Sequence, residues 1–236
     1  MQKRTFVIQL TLAAIALSVL GFRPPASLGS GSTESSSGGA LYADSVALAA
    51  RPSSPSIRAS AAAVVDGETG LLLWGKDPHG TYPPASMTKM LTALVALEHG
   101  QLGQILTSDV DAKTMVGDSV MGLHRGERLP LSDLLYGMLL PSGGDAALVI
   151  ARAIAGNDAA FVSQMNDTAA SLGLTESHFV NPIGLDAAGQ LSSPYDMIVV
   201  ARAAMRFPFF RKVVATTHIV VTGQWIYDLT NTNYFL

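Results

Sequence analysis

The chain holds 236 residues, enough for one large domain or two small ones, and its 48% hydrophobic and 14% charged content suits a compact core. A formal net charge of −3, with no basic stripe, points away from a nucleic-acid partner. The absence of cysteine excludes disulfides and thiolate metal sites.

Lys3 and Arg4 precede an apolar run over residues 6–20, broken only by Gln9, Thr11 and Ser18. A positive start followed by an apolar run is the pattern of a secretory signal, and this run is short for a membrane span. Residues 1–28 are therefore expected to be a signal peptide or, if uncleaved, an N-terminal anchor that is the chain's contact with a membrane. The expected location is the periplasm or the extracellular face of the cytoplasmic membrane. Residues 29–58 are rich in Gly, Ser and Pro and read as a linker, leaving 59–236 for the folded part.

Two short apolar runs, residues 61–65 and 71–74, flank Asp66-Gly67-Glu68-Thr69-Gly70 and predict a β-hairpin. Next comes Tyr82-Pro83-Pro84-Ala85-Ser86-Met87-Thr88-Lys89, where the prolines disfavour helix. Beyond Ala85, apolar residues at Met87, Met90, Leu91, Leu94, Val95 and Leu97 fall at helical spacing, and Gly100 suits a C-terminal cap. Ser86 then lies at or near the first residue of a helix, with Lys89 one turn on and within reach of its hydroxyl. The helix N-terminus favours an oxygen on which negative charge develops, so the pair reads as a nucleophile beside an amine base. Serine is also a common helix cap and lysine a common surface residue, so Ser-x-x-Lys gains meaning only from the rest of the chain.

From Gly100 to Pro130 the pattern is irregular, with turns expected at 117–119 and 122–127. Helices are predicted over 131–140, from Asp145 to about Gly156, and over 158–172, with Ser142-Gly143-Gly144 as a tight turn between the first two. Residues 179–185 read as a loop, Ser193 as the cap of a helix with Pro194 in its first position, and residues 218–221 and 225–229 as a second hairpin. His79, His99, His124, His178 and His218 lack metal-ligand spacing and read as structural or surface groups. Trp74 and Trp225 read as core or cleft wall.

Ser142 alone would pass for part of a plain helix–helix connection. Ser-x-x-Lys on a helix followed by a Ser-containing turn, however, is the ordered motif pair of β-lactamases and penicillin-binding proteins. Around it, Pro83-Pro84-Ala85-Ser86-Met87-Thr88-Lys89, Gly117-Asp118-Ser119, the 122–127 turn, Asp133-Leu134-Leu135-Tyr136-Gly137-Met138-Leu139-Leu140-Pro141-Ser142-Gly143, Asn181-Pro182-Ile183-Gly184-Leu185 and Asn231-Thr232-Asn233 go further. They resemble the serine-type D-alanyl-D-alanine carboxypeptidases of peptidase family S11, the low-molecular-weight penicillin-binding proteins, from about Ala61 to the last residue. The resemblance implies an α/β (α+β) fold of the β-lactamase/transpeptidase-like kind: an antiparallel sheet with flanking helices and a helical subdomain. Residues 59–236 would be the N-terminal part of that catalytic domain. It implies Ser86 as nucleophile forming an acyl-ester, Lys89 as general base, Ser142 as proton relay and the Ser86 backbone N–H in the oxyanion hole, with no cofactor. The implied partner is a peptidoglycan stem pentapeptide, from which the terminal D-alanine is trimmed, with β-lactams as inhibitors.

Two departures from the family pattern stand out. Gly144 occupies the substrate-binding position of the usual Asn, so Gly144→Asn is expected to restore a hydrogen bond and raise turnover. The family's third motif, Lys-Thr-Gly, is absent; Val221-Thr222-Gly223 lacks the lysine and precedes Asn231-Thr232-Asn233 rather than following it. The resemblance thus implies a copy truncated before the third motif, with an incomplete sheet and weak or no activity. The alternatives are a serine β-lactamase, which shares the first two motifs, and a non-catalytic remnant that binds peptidoglycan.

Overall fold

The computed structural model describes residues 55–234 and 236. The expected signal segment and nearly all of the expected linker lie outside the described residues.

Strand β1 (Ala62–Val65) pairs antiparallel with β2 (Leu72–Lys76), in register Ala62 to Lys76 and Val64 to Trp74, with a bulge at Val64/Val65. Asp66 closes the connecting turn by accepting from the Thr69 N–H at 2.7 Å, and Gly70 supplies the positive φ of 80° that the turn needs. Arg202 donates to the carbonyls of Gly67 and Glu68 at 3.2 and 3.0 Å, fastening the turn to a later helix. Trp74 is half-buried, while Leu71 and Leu73 are 65% and 60% exposed.

A 3₁₀ turn, Ala85–Met87, leads into helix α1 (Thr88–His99). Ser86 thus lies in the tighter turn ahead of the helix rather than at the helix's own first residue. The stretch Leu91 to Ala96 is at most 1% exposed at every position, which a helix tolerates only when neighbours surround it. Those neighbours are α3 (Gly144–Ala155), α4 (Asp158–Ser171) and α5 (Pro194–Ala204). Helix α2 (Leu131–Leu139) packs on α1 and α3, and α6 (Pro208–Val214) packs on α2. The caps follow the chemistry of their residues: Asn157 accepts from Ala160 N–H and Ser193 from Asp196 N–H.

Between α1 and α2 the structure adds a short pair absent from the sequence reading, β3 (Ile105–Thr107) with β4 (Arg128–Pro130), matched Leu106 to Leu129. Helix α6 was likewise unread, and α3 begins at Gly144, one residue before the expected Asp145. Strands β5 (His218–Thr222) and β6 (Ile226–Thr230) form the last hairpin. It holds the 117–127 segment from one side: the Tyr227 hydroxyl donates to the buried Glu127 carboxylate, and the Trp225 ring stacks on His124 at 4.7 Å. Trp225 is 49% exposed, which places it outside the core. Among the described residues the strands form three separate two-stranded antiparallel sheets beside the helices, and no single helix is long and apolar enough to cross a membrane.

The core lies among α1 to α4, where Leu94, Leu134, Leu135, Met138, Ile150, Phe161 and Met165 are at most 1% exposed. Phe161→Ala should therefore cost about 3–5 kcal/mol of unfolding free energy in denaturant titrations, through lost burial plus the cavity left behind. A cost below about 1 kcal/mol would show that the helices close over the gap.

Candidate active site

The turn that carries Ser86 is set by the residue before it. Ala85 holds φ at 49°, in the left-handed region an alanine rarely enters, and this bends the chain out of the Pro83-Pro84 segment. Neither the turn nor α1 has a side-chain cap, so the Ser86 hydroxyl is not engaged with the helix end. It accepts instead from Lys89 Nζ at 3.2 Å. Lys89 is 2% exposed, and its amine also donates to the Ile183 carbonyl at 2.7 Å. Burial pushes the amine below the ordinary lysine pKa, while the Asp118 and Asp145 carboxylates pull in the opposite direction. The net shift is downward, toward the neutral amine that can accept a proton.

The Ile183 carbonyl is held in place by a braced loop. Asn181 Oδ1 accepts from the N–H groups of Ile183 and Gly184 at 3.2 and 2.7 Å, and Asn181 Nδ2 donates to Leu185 O at 2.8 Å. Gln190 accepts from Val180 N–H at 2.7 Å and donates to Thr88 Oγ1 at 3.1 Å, tying the loop to the start of α1. Thr92, one turn along α1, donates to Pro182 O at 2.7 Å. Gly184 has φ 85°, and a Cβ there would lie 2.0 Å from Ala85 O, so only glycine lets the loop lie this close to the Ser86 turn.

Ser142 lies within the α2–α3 connection with φ 64°, and its buried hydroxyl has no hydrogen-bond partner among the described residues. Asp145, fully buried on α3, organises the loop opposite. Its Oδ1 accepts from Met121 and Ala146 N–H at 2.7 and 2.9 Å, and its Oδ2 from Gly122 and Leu123 N–H at 2.8 and 2.9 Å. The same loop brings in Asp118, whose Oδ1 lies 3.9 Å from Lys89 Nζ and accepts from Ser119 N–H at 2.8 Å. Its Oδ2 is buried without a hydrogen-bond partner. Burial raises the Asp118 pKa and the lysine opposes that shift.

Gly144 meets this carboxylate. A Cβ at 144 would lie 1.8 Å from Asp118 Oδ2 and 3.2 Å from Met115 Cε. An Asn amide at position 144 would therefore meet the Asp118 carboxylate, which would have to shift to admit it. The structure thus links Ser86, Lys89, Asp118 and Gly144 in one chain of contacts, with Ser142 two residues from Gly144. The sequence reading had treated Asp118 as part of a turn and Asp145 as a helix opener.

Comparison with known proteins bears on this geometry. The profile of the peptidase S11 family, D-alanyl-D-alanine carboxypeptidase, matches residues 48–235. The chain belongs to that family. The S11 carboxypeptidase DacF of Bacillus subtilis is 34% identical over 162 residues, covering 67% of this chain and 42% of the relative. DacB2 of Mycobacterium tuberculosis is 40% identical over 154 residues, covering 64% and 52% respectively. The chain therefore spans about half the length of these curated relatives. Among solved structures, penicillin-binding protein 6B from Escherichia coli superposes with a TM-score of 0.71 at 34% identity, covering 78% of this chain and 60% of that one. A D-alanyl-D-alanine carboxypeptidase from M. tuberculosis gives 0.70 at 34% identity, covering 76% and 68%. The fold is that of the penicillin-binding proteins.

Within this S11 chain, Asp145 holds the loop that delivers Asp118. Asp145→Ala would strand four backbone N–H groups and should cost about 3 kcal/mol or more in unfolding free energy. Unchanged stability in denaturant titrations would show that residues 121–123 find other acceptors.

Proposed function

We propose that this chain is the nucleophile-bearing part of an exported serine D-alanyl-D-alanine carboxypeptidase that trims the terminal D-alanine from peptidoglycan stem peptides. The observation that carries this reading is the 3.2 Å contact from a buried lysine amine to the Ser86 hydroxyl. A serine hydroxyl is a weak nucleophile until a neighbouring base takes its proton, and a buried amine with a depressed pKa is such a base. Membership of the S11 family and relatives named D-alanyl-D-alanine carboxypeptidases supply the reaction class.

In this reading Ser86 Oγ attacks the carbonyl carbon of the penultimate D-alanine as its proton passes to Lys89 Nζ. The Ser86 backbone N–H donates to the developing oxyanion, a kind of contact worth about 3–4 kcal/mol of barrier. Collapse breaks the C–N bond as the Ser142 hydroxyl, which has no competing hydrogen bond, gives a proton to the leaving amine and takes back from Lys89 Nζ the one that came from Ser86, leaving the lysine neutral again. Free D-alanine departs and an ester remains on Ser86. Water then attacks that ester, giving up a proton to Lys89, which passes it to the departing Ser86 Oγ, and the peptide leaves with a new carboxylate. β-Lactams present a strained amide to the same serine and stop at the ester.

A fluorescent penicillin should label the protein that carries this chain on Ser86. Ser86→Ala should abolish labelling and Lys89→Ala should slow acylation about 10²–10⁴-fold. Because neutral amine is the active form, the acylation rate should climb with pH and level off below the ordinary lysine pKa. Label mapped to another serine would overturn the assignment.

Export rests on Lys3, Arg4 and the apolar run that follows. Expressed in a bacterium with a C-terminal tag, the protein should be recovered outside the cytoplasm or on the outer face of the membrane. Recovery only from the cytosol, with an intact N-terminus, would refute this.

A further inference from the structure

The carboxylate that meets Gly144 belongs to the Gly117-Asp118-Ser119 turn, to which the motif pattern assigns no role in the site. We propose that Asp118 is a positioning residue of this active site: it fills the space a side chain at 144 would take and holds the Lys89 amine against Ser86. The inference deepens the proposed function and rests on Lys89 being the base.

Three observations converge on Asp118. Its Oδ2 lies 1.8 Å from where a Cβ at 144 would stand, so a side chain at 144 and the Asp118 carboxylate cannot both hold these positions, and one must shift to admit the other. Its Oδ1 is 3.9 Å from Lys89 Nζ, with both side chains almost withdrawn from water at 8% and 3% exposure. Its placement is fixed at the backbone on both sides, since Ser119 N–H donates to Oδ1 at 2.8 Å and Ser119 O accepts from Gly144 N–H at 2.8 Å. The small residue and the acid are therefore a matched exchange: glycine at 144 opens a slot and aspartate from the facing loop fills it.

The other groups around the amine do not duplicate this role. Asp145 is the second carboxylate whose charge Lys89 feels, but its two oxygens already accept four backbone N–H groups. Ser86 offers a hydroxyl and Ile183 a carbonyl, neither of them charged. Of the two carboxylates whose charge Lys89 feels, Asp118 is the one that retains a buried oxygen with no hydrogen-bond partner. An acid in this slot also differs in kind from an amide. It adds a negative charge 3.9 Å from the amine, which raises the proton affinity of the base and opposes the effect of burial.

Two measurements test this, and neither requires turnover or penicillin binding, so their failure is distinct from failure of Ser86 labelling. First, the protein is labelled with ¹³Cε-lysine, and the Lys89 resonance is assigned as the one lost in Lys89→Met. Asp118→Asn, which keeps shape and removes charge, should lower the Lys89 titration midpoint by about one pH unit. An unmoved midpoint would overturn the proposal. Second, thermal unfolding is compared for Gly144→Asn, Asp118→Ala and the double variant. Gly144→Asn alone should lower Tm by about 4 °C or more. In the Asp118→Ala background the same substitution should cost less than half as much, because the slot is then empty. Additive losses would show that positions 118 and 144 do not share that space, and would equally overturn it.

Discussion

A lysine amine taken out of water is the constraint on which this site depends. Burying an ammonium without compensation costs several kcal/mol, so the surroundings must either neutralise it or surround it with acceptors. Both occur here. The tightly packed wall of α1 removes solvent and biases Lys89 toward the neutral form, while the Ile183 carbonyl, the Ser86 hydroxyl and the Asp118 carboxylate give its N–H groups and any residual charge somewhere to go. In the proposed mechanism, the balance between these effects sets how readily the amine takes a proton from Ser86. A better-solvated lysine would stay charged, and one with no acceptors would destabilise the fold.

Holding acceptors on three sides of one nitrogen requires unusual backbone. Ala85, Ser142 and Gly184 all adopt positive φ, at 49°, 64° and 85°, and two of them are not glycine. A non-glycine residue held there costs of order 1–3 kcal/mol and persists only where its surroundings over-determine it. Here the Asn181 and Gln190 side chains lock the loop above Ala85, and Asp145 gathers the loop that faces the Ser142 turn. The strain sits at Ala85, the residue preceding Ser86, and at Ser142, and the packed helices beneath carry it.

Much of this was legible in the chain because it is local. The Ser86–Lys89 spacing, the 3.6-residue periodicity of α1, the Ser193 cap with Pro194 behind it and the Gly-rich turn after Pro141 each lie within a few residues of sequence. The missed features are those whose meaning depends on a distant partner. β3 and β4 have three residues each, too few to show alternation, and pair across a long irregular segment. Gly117-Asp118-Ser119 has the composition of any turn, and nothing local marks Asp118 as the residue that reaches Lys89 and Gly144. The expectation for Gly144→Asn likewise takes no account of the Asp118 carboxylate that faces position 144, because that carboxylate comes from a loop distant in the chain.

The acceptor nearest the Lys89 amine belongs to the main chain. No substitution at position 183 deletes that carbonyl, so a side chain there that keeps the buried packing of Ile183 leaves the amine its anchor. Vulnerability moves instead to Asn181 and Gln190, whose amides aim the carbonyl without touching the base. The chemistry of the site is insulated from mutation at its point of contact and exposed to it one layer further out.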